Sequence, residues 1–276
     1  ASLPNSIGID IKQLQIQDKL QGVEYLVQRS SLISSRKQGL FTMDFTSQLP
    51  GNLGKQLKIL FKGDTQKQQI YIENDDFDIA QWLALFTTNP VPVSQAKMNA
   101  RSWIDLEQYS VREVLSHIAL SGIQFDPKAV TPSLSFTLLQ RTRFDYGDWR
   151  IDAKVSELKK GQQHLAGFTA QALFNTELPH PQLWVDALSV STLTHIFSDM
   201  PDQKDIQLYL SGLKPAAELT NVVASIDLEQ PRLSTIGLDF KGLQTSAYQS
   251  IPGVTGLSGR VIADRGKSRI DLNGRK

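Results

Sequence analysis

Apolar and polar residues alternate with a period of two along most of the chain, and this pattern predicts β-strands. The predicted strands are 39–49, 56–63, 68–74, 132–140, 149–158, 165–174, 182–190, 205–213 and 236–244, and two more short strands are expected near the C-terminus. Turn residues separate them at PGNLGK, KGDTQK, DYGD, KKGQQ and ADRGK. An antiparallel sheet with one buried face and one solvent-exposed face gives this alternation, so the pattern predicts an antiparallel meander.

Two segments repeat their apolar residues at i, i+3, i+4 and i+7, which predicts short amphipathic helices near 78–88 and 191–200. Asp78 and Ser191 are the expected N-caps, and Pro90 and Pro201 are expected to end the helices. A third segment, 109–120, fits either another helix or a strand with a bulge.

Three features recur in the same order at an offset of about 120 residues, which indicates a degenerate internal repeat. The two helices are the first feature. The sequence DLEQ at 105–108 recurs at 227–230, and Gly-Ile-Gln at 122–124 recurs as Gly-Leu-Gln at 242–244. We therefore expect two β modules, 1–125 with the helix near 78–88 and 126–276 with the helix near 191–200, in one continuous sheet.

Composition and charge exclude several partners. The 29 Lys and Arg residues nearly balance the 28 Asp and Glu residues, so nothing in the charge favours nucleic acid or an anionic membrane surface. The chain has no cysteine, which suits an oxidising compartment such as the periplasm. No apolar run reaches the roughly 18 residues of a spanning helix. We interpret the chain as a fragment whose anchor or signal would lie elsewhere in a longer protein.

Candidate chemistry is sparse. The tripeptide Gly266-Lys267-Ser268 would need a glycine at position 261 to form a phosphate-binding loop, and that residue is Val261. The four histidines, His117, His164, His180 and His195, lie in separate segments with no metal-binding spacing. Aromatic residues alternate with basic ones around the DYGD turn, at Phe144, Tyr146 and Trp149 near Arg141, Arg143 and Arg150. This pattern fits either a strand-based nucleic-acid surface or a hairpin with an aromatic cross-strand pair, and the balanced charge favours the hairpin. The sequence therefore predicts no enzyme, metal, cofactor, nucleotide or nucleic acid.

Apolar surface is the remaining feature. Several predicted strands carry large apolar side chains at every second position: Leu134, Phe136 and Leu138; Ile206, Leu208 and Leu210; Ile236, Leu238 and Phe240. Such a face is usually the core of a β-sandwich. Only short helices lie between these strands to form a second layer, and a face left uncovered must meet its own other edge, a partner or lipid.

The run YQSIPGVTGLSGRVIADRGKSRIDL (248–272) resembles the signature of the large AsmA-like envelope proteins of Gram-negative bacteria, of the YhdP type. At the level of pattern, the resemblance extends over residues 40–276. It implies a long twisted antiparallel meander that forms an open groove with short amphipathic helices. It also implies a bridge-like lipid transporter that lies in the periplasm, is anchored in the inner membrane outside this fragment, and moves phospholipid towards the outer membrane.

The resemblance assigns expected roles to residues of this chain. The lipid-groove candidates are Leu134, Phe136, Leu138, Ile206, Leu208, Leu210, Leu238 and Phe240. The groove-capping helix candidates are Trp82, Phe86, Ile196 and Phe197, and the structural turn comprises Pro252, Gly253, Gly256 and Gly259. The expected partners are phospholipid and, through the full-length chain, inner- or outer-membrane proteins. The alternatives are a closed β-sandwich scaffold or interaction module without lipid, and a domain that binds or hydrolyses envelope glycans.

Overall fold

The computed structural model describes residues 6–18, 23–51, 53–86, 93–125, 132–145, 147–175, 180–197, 204–227, 232–264 and 267–273. In these ranges the chain is mainly β, with sixteen strands in one antiparallel sheet and three short helices. The strands are β1 (Ser6–Asp18), β2 (Val23–Lys37), β3 (Leu40–Gln48), β4 (Gln56–Gly63), β5 (Lys67–Asp78), β6 (Gln95–Glu107), β7 (Ser110–Gln124), β8 (Leu134–Asp145), β9 (Asp148–Lys160), β10 (Gln163–His164), β11 (Phe168–Asn175), β12 (Gln182–Ser189), β13 (Ala216–Asp227), β14 (Arg232–Thr245), β15 (Val254–Asp264) and β16 (Lys267–Leu272). The helices are α1 (Ile79–Phe86), α2 (Val190–Phe197) and α3 (Lys204–Leu213).

The strands pair in chain order, as a meander does, and the short strand β10 pairs with β9 beside this path. Strands β1 and β16 stand at the two ends of the order, and in the described part of the chain each pairs on one side alone. The sheet is therefore open. This confirms the predicted fold class, whereas the alternative of a closed β-sandwich is wrong.

Most strand predictions are confirmed, and one is wrong. The segment 205–213 was predicted as a strand but forms helix α3. Its apolar residues fit both periods, since Ile206, Leu208 and Leu210 alternate while Ile206, Leu210 and Leu213 have the i, i+4, i+7 spacing of a helix face. The ambiguous segment 109–120 lies mostly in strand β7, whose pairing with β6 shifts register twice.

Both predicted helices are present, and one of their two N-caps is confirmed. Asp78 precedes α1, and its Oδ1 atom accepts the N–H of Gln81 at 3.1 Å. The prediction for Ser191 is wrong, because α2 begins at Val190 and Ser191 lies within its first turn. The expected helix end at 198–200 and both expected stop residues, Pro90 and Pro201, lie outside the described residues.

The chain divides into two compact units. Unit 1 comprises 1–124 and 137–142, and unit 2 comprises 125–136 and 143–276. Unit 1 contains the pairings from β1 to β7 and helix α1, and unit 2 contains those from β9 to β16 and helices α2 and α3.

The repeated glycine motif has the same backbone conformation in each unit. Gly122 in β7 has φ +65°, and Gly242 in β14 has φ +67°. Each lies where its strand holds one residue more than the neighbouring strand, which is a β-bulge. Because this left-handed conformation favours glycine, the bulge explains why both copies of the motif carry it.

Candidate functional site

One face of the unit 1 sheet is apolar. Met43, Phe61, Ile70, Ile104 and Val114 lie directly opposite one another across strands β3 to β7, so their side chains form one row. The neighbouring row on the same face includes Phe45, Ile59 and Ile72, and Phe41 contacts Phe61 with a ring-centroid distance of 5.7 Å. We call this surface the apolar face of unit 1.

The side chains on the apolar face of unit 1 are partly exposed to solvent, whereas the facing side chains of a β-sandwich are buried. All five residues of this first row, here called the central row, are partly exposed, although none of them is the first or last residue of its strand. The largest fully buried side chains of the described residues are Leu158, Gln68 and Thr192, two of which are polar. Because two packed sheets bury the residues between them, partial exposure indicates that no second layer formed by the described residues covers this row.

Helix α1 packs at one end of this face. The Trp82 ring stacks on Phe77 with a centroid distance of 5.2 Å, and its Nε1–H donates to the carbonyl of Leu53 at 2.9 Å. Phe77 lies opposite Met98, which belongs to the apolar face by strand alternation. Leu53 itself is buried in the β3–β4 connection. The helix therefore bounds the apolar face at the end of β5.

A polar side chain bounds the other end of the same face. Gln68 lies on the apolar face near the start of β5 and is 2 % exposed. Its Nε2 donates to the carbonyl of Asp64, and its Oε1 accepts the N–H of Tyr109 at 3.1 Å. Burial is tolerated because both ends of the amide are hydrogen-bonded. The central apolar row thus lies between helix α1 and the hydrogen-bonded side-chain amide of Gln68.

Unit 2 also has an apolar face. Ile151, Ala172, Leu183, Ala224 and Ile236 lie directly opposite one another across β9, β11, β12, β13 and β14. The next row contains Leu238, Val261 and Ile270. Ile270, on the edge strand β16, is 61 % exposed, whereas Ala224 is buried. Exposure on this face therefore rises towards the edge.

The predicted groove residues fall into two groups. Leu134, Phe136 and Leu138 alternate along β8, with Leu134 buried and the other two partly exposed, and Leu238 and Phe240 lie on the apolar face of unit 2 in β14. The remaining three candidates, Ile206, Leu208 and Leu210, lie on helix α3 and not on a strand. Leu208 is 58 % exposed there.

Of the four groove-capping helix candidates, the structure describes the side chains of two. Trp82 packs at the end of the unit 1 face as described, and Ile196 is partly exposed on α2. Phe86 and Phe197 are the last residues of α1 and α2, and their side chains lie outside the description. Helix α2 contacts β12 and β13, and Lys160 Nζ donates to the carbonyl of His195 at 2.8 Å.

The glycine-rich segment forms a turn and then an irregular strand. Tyr248 and Ile251 bridge each other before Pro252 and Gly253, and Gly256 in β15 has φ +75°. Gly259 follows in the same strand, where a Cβ atom would lie 2.2 Å from the carbonyl oxygen of Asp271 and 3.0 Å from the Phe240 ring. Glycine there allows β16 to pair and Phe240 to pack over the backbone.

The opposite face of each unit carries ion pairs, and we call it the polar face although it also includes apolar residues such as Trp103 and Val223. In unit 2, Asp239 accepts hydrogen bonds from the side chains of Asn221 and Arg260, each at 2.8 Å, and these bonds lower the pKa of Asp239 below 3.8. In unit 1, Arg101 pairs with Glu73 at 3.0 Å. Burial raises the pKa of the Tyr71 hydroxyl, and its hydrogen bond with Glu73 adds to this shift.

The sequence interpretation missed the central row of unit 1. Its alternation was visible in 39–49, 56–63 and 68–74, and it continues in the sequence Ala100–Glu107 of β6. The signal that would have found it is the register, because only pairing shows that apolar positions of five strands meet in one row.

The described residues contain neither a metal site nor a membrane-spanning helix. No cluster of three or more His, Asp or Glu residues is placed there to hold a metal ion. The helices described are also too short to cross a membrane. The structural feature that remains is the sheet with one apolar and one polar face in each unit.

These features define a class of protein, a single-layer antiparallel β-protein whose apolar face is partly exposed. The comparison with protein families makes the identification more specific. The model of the family described as "YhdP protein" matches residues 5–276, and the chain belongs to this family. No curated protein and no solved structure gives a significant match.

Proposed function

We propose that this chain is a periplasmic segment of a bridge-like protein that shields phospholipid acyl chains between the inner and outer membranes. The observation that carries the proposal is the central apolar row of unit 1, which is partly exposed although none of its residues is the first or last residue of its strand. Membership of the YhdP family and the open sheet support it.

The chemistry required is modest. An acyl chain removed from water gains about 0.8 kcal/mol for each buried CH₂ group, and a row of aliphatic and aromatic side chains provides that environment without reacting. Because no bond is made or broken, the role needs no catalytic residues. The polar face would meet the aqueous compartment, while phospholipid is the expected ligand of the apolar face in each unit.

The test is lipid extraction with two matched variants. The purified protein is extracted with organic solvent, and phospholipid is quantified by mass spectrometry against a mock purification. Phe45→Glu places a carboxylate on the apolar face, whereas Thr46→Glu places the same charge on the polar face, opposite Lys58. We expect near-stoichiometric phospholipid in the unmodified protein and in Thr46→Glu, and at least a tenfold loss in Phe45→Glu.

Circular dichroism and thermal unfolding establish that both variants fold. A lipid-free, cooperatively folding unmodified protein would contradict the proposal and favour a structural spacer of the cell envelope. An equal loss of lipid in both variants would place the lipid somewhere other than the apolar face.

A further inference from the structure

The polar face of unit 1 contains an aromatic pair that the lipid proposal does not use. Leu60, Tyr71, Trp103 and Leu115 lie directly opposite one another across β4 to β7, on the face opposite the central apolar row. The rings of Tyr71 and Trp103 have a centroid distance of 5.3 Å, and Trp103 is 45 % exposed. A tryptophan of this exposure among charged neighbours is typical of a binding surface.

A cavity of about 530 Å³ lies beside this aromatic pair. It is lined by the adjacent row of the same face, which comprises Lys58, Glu73, Arg101 and His117. Asn74 and Asn99 also line it. Glu73 follows Tyr71, and Arg101 precedes Trp103, by two residues along their strands, so the aromatic pair and the cavity are about 7 Å apart.

The cavity offers hydrogen-bond donors and acceptors together. On this face, the side-chain oxygen of Asn99 accepts the N–H group of Asp76 at 2.7 Å. Among the described residues, the –NH₂ group of Asn99 has no partner and remains a donor for a ligand. Glu73 pairs with Arg101, which leaves further carboxylate lone pairs as acceptors.

We propose that the aromatic pair and this cavity form a binding site for a neutral oligosaccharide. One sugar ring would stack its C–H groups on the electron-rich face of Trp103, with Tyr71 beside it, and the next ring would place its hydroxyl groups in the cavity. The separation of about 7 Å between the two rows is compatible with consecutive rings of one chain.

The mixture of charges favours a neutral ligand over an anion. Lys58 and Arg101 would attract a phosphate, but Glu73 and Asp75 line the same cavity and would repel it. A polyhydroxylated ring uses donors and acceptors alike, and the aromatic pair gives it an apolar surface. The site lies on the face that does not carry the proposed lipid, so its failure and the failure of the lipid proposal are distinguishable.

The test is isothermal titration calorimetry of the full chain with chitohexaose, cellohexaose, maltohexaose and inorganic phosphate. We expect saturable binding of at least one oligosaccharide, with a Kd of about 0.1–1 mM, as for an exposed site with few contacts. Trp103→Ala should weaken this binding at least tenfold. Trp149→Ala is the matched control, because Trp149 is 37 % exposed, also pairs with an aromatic ring, and lies in unit 2.

A second variant separates a binding effect from misfolding. His117 is exposed on the cavity wall, and His117→Ala should weaken binding about threefold to tenfold without changing the thermal midpoint. Phospholipid content should be unchanged in both variants. The proposal is overturned if none of the three oligosaccharides binds below about 10 mM, if Trp103→Ala binds like Trp149→Ala, or if phosphate alone binds.

Discussion

The ends of the two units are bounded by helices that are held in different ways. In unit 1, α1 is fixed by a cap and an aromatic ring: Asp78 caps its first turn, and Trp82 stacks on Phe77 and donates to Leu53. In unit 2, α3 is fixed by close approach, because Gly212 lies against the ring of Tyr248 and the N–H of Ser246 donates to the carbonyl of Leu213 at 2.7 Å.

The difference shows that an amphipathic pattern identifies a helix without identifying its anchor. The first helix was recognised from its spacing, and its anchor is a large side chain that the pattern includes. The third helix was misread as a strand, and its anchor is a glycine that the pattern ignores. Four sets of substitutions test how far this contrast holds, beginning with the largest expected effect.

Replacing Trp82 tests the aromatic anchor of α1. Trp82→Ala removes both the stacking on Phe77 and the hydrogen bond to Leu53, and we expect the free energy of unfolding to fall by about 3 kcal/mol. Trp82→Phe keeps a ring and loses the hydrogen bond, so a loss of about 1 kcal/mol is expected. Urea unfolding followed by circular dichroism measures both. Equal losses would mean that stacking on Phe77 contributes little.

Replacing Gly212 tests the close approach of α3, and here the sign of the effect is decisive. In an exposed helix, Gly→Ala stabilises by about 1 kcal/mol. At Gly212 a Cβ atom would lie 2.2–2.5 Å from three atoms of the Tyr248 ring. We therefore expect Gly212→Ala to destabilise the protein by about 2 kcal/mol, measured by urea unfolding.

Two further variants complete that test. Tyr248→Ala in the Gly212→Ala background should recover part of the lost stability, because it removes the clashing ring. Gly237→Ala is the control, since a Cβ atom there would meet nothing within 4 Å. If Gly212→Ala stabilises the protein, the contact between α3 and Tyr248 does not hold the helix.

Replacing the two predicted N-cap residues, Asp78 and Ser191, tests which of them caps its helix. Asp78→Ala should cost about 1 kcal/mol, because the N–H of Gln81 loses its acceptor. Ser191→Ala should change stability by less than about 0.5 kcal/mol, because Ser191 lies inside α2. Thermal unfolding of both variants gives the comparison. A loss at Ser191 as large as at Asp78 would restore it as a cap.

Replacing Asp64 tests the turn at the start of β5, which is the end of the strand opposite to α1. The effect of this substitution on stability depends on pH. Its Oδ1 atom accepts the N–H groups of Lys67 and Gln66 at 2.9 and 2.7 Å, and these bonds lower its pKa below 3.8. The folded state therefore favours the ionised carboxylate, so this contribution to stability is present above pH 3.8 and is lost as pH falls through the lowered pKa.

The measurement is the free energy of unfolding between pH 6 and pH 2.5 for the unmodified protein and Asp64→Asn. We expect the difference between the two proteins to shrink as pH falls below about 4. Because the carboxylate is exposed, this is the smallest of the four effects. A constant difference across that pH range would show that the turn does not depend on the charge of Asp64.

The sequence identified most of the sheet for a local reason. Alternation is a property of neighbouring residues, so strands such as β4 and β5 could be found from their own residues, and so could the hairpin in which Phe144 and Trp149 pair with a centroid distance of 4.9 Å. The family resemblance likewise rested on a contiguous run, and the family model matches the chain.

Local patterns failed where two periods fit the same residues or where the pattern was weak. Residues 205–213 fit both the strand period and the helix period. The residue that Gly212 lies against, Tyr248, is 36 positions further along the chain. Strands β1, β2, β6 and β13 were not predicted individually; several polar residues interrupt the alternation of β1, β2 and β13, and Ser102 interrupts that of β6. In the sheet, pairing with neighbours stabilises them despite those interruptions.

By itself, the sequence determined that the chain forms an antiparallel β-protein with short helices, no thiol chemistry and nearly balanced charge. Only the tertiary structure decided which apolar positions meet, because the register brings Met43, Phe61 and Ile70 into one row and places Tyr71 and Trp103 on the opposite face. A shift of one residue would exchange these faces, and pairing between neighbouring strands sets that register.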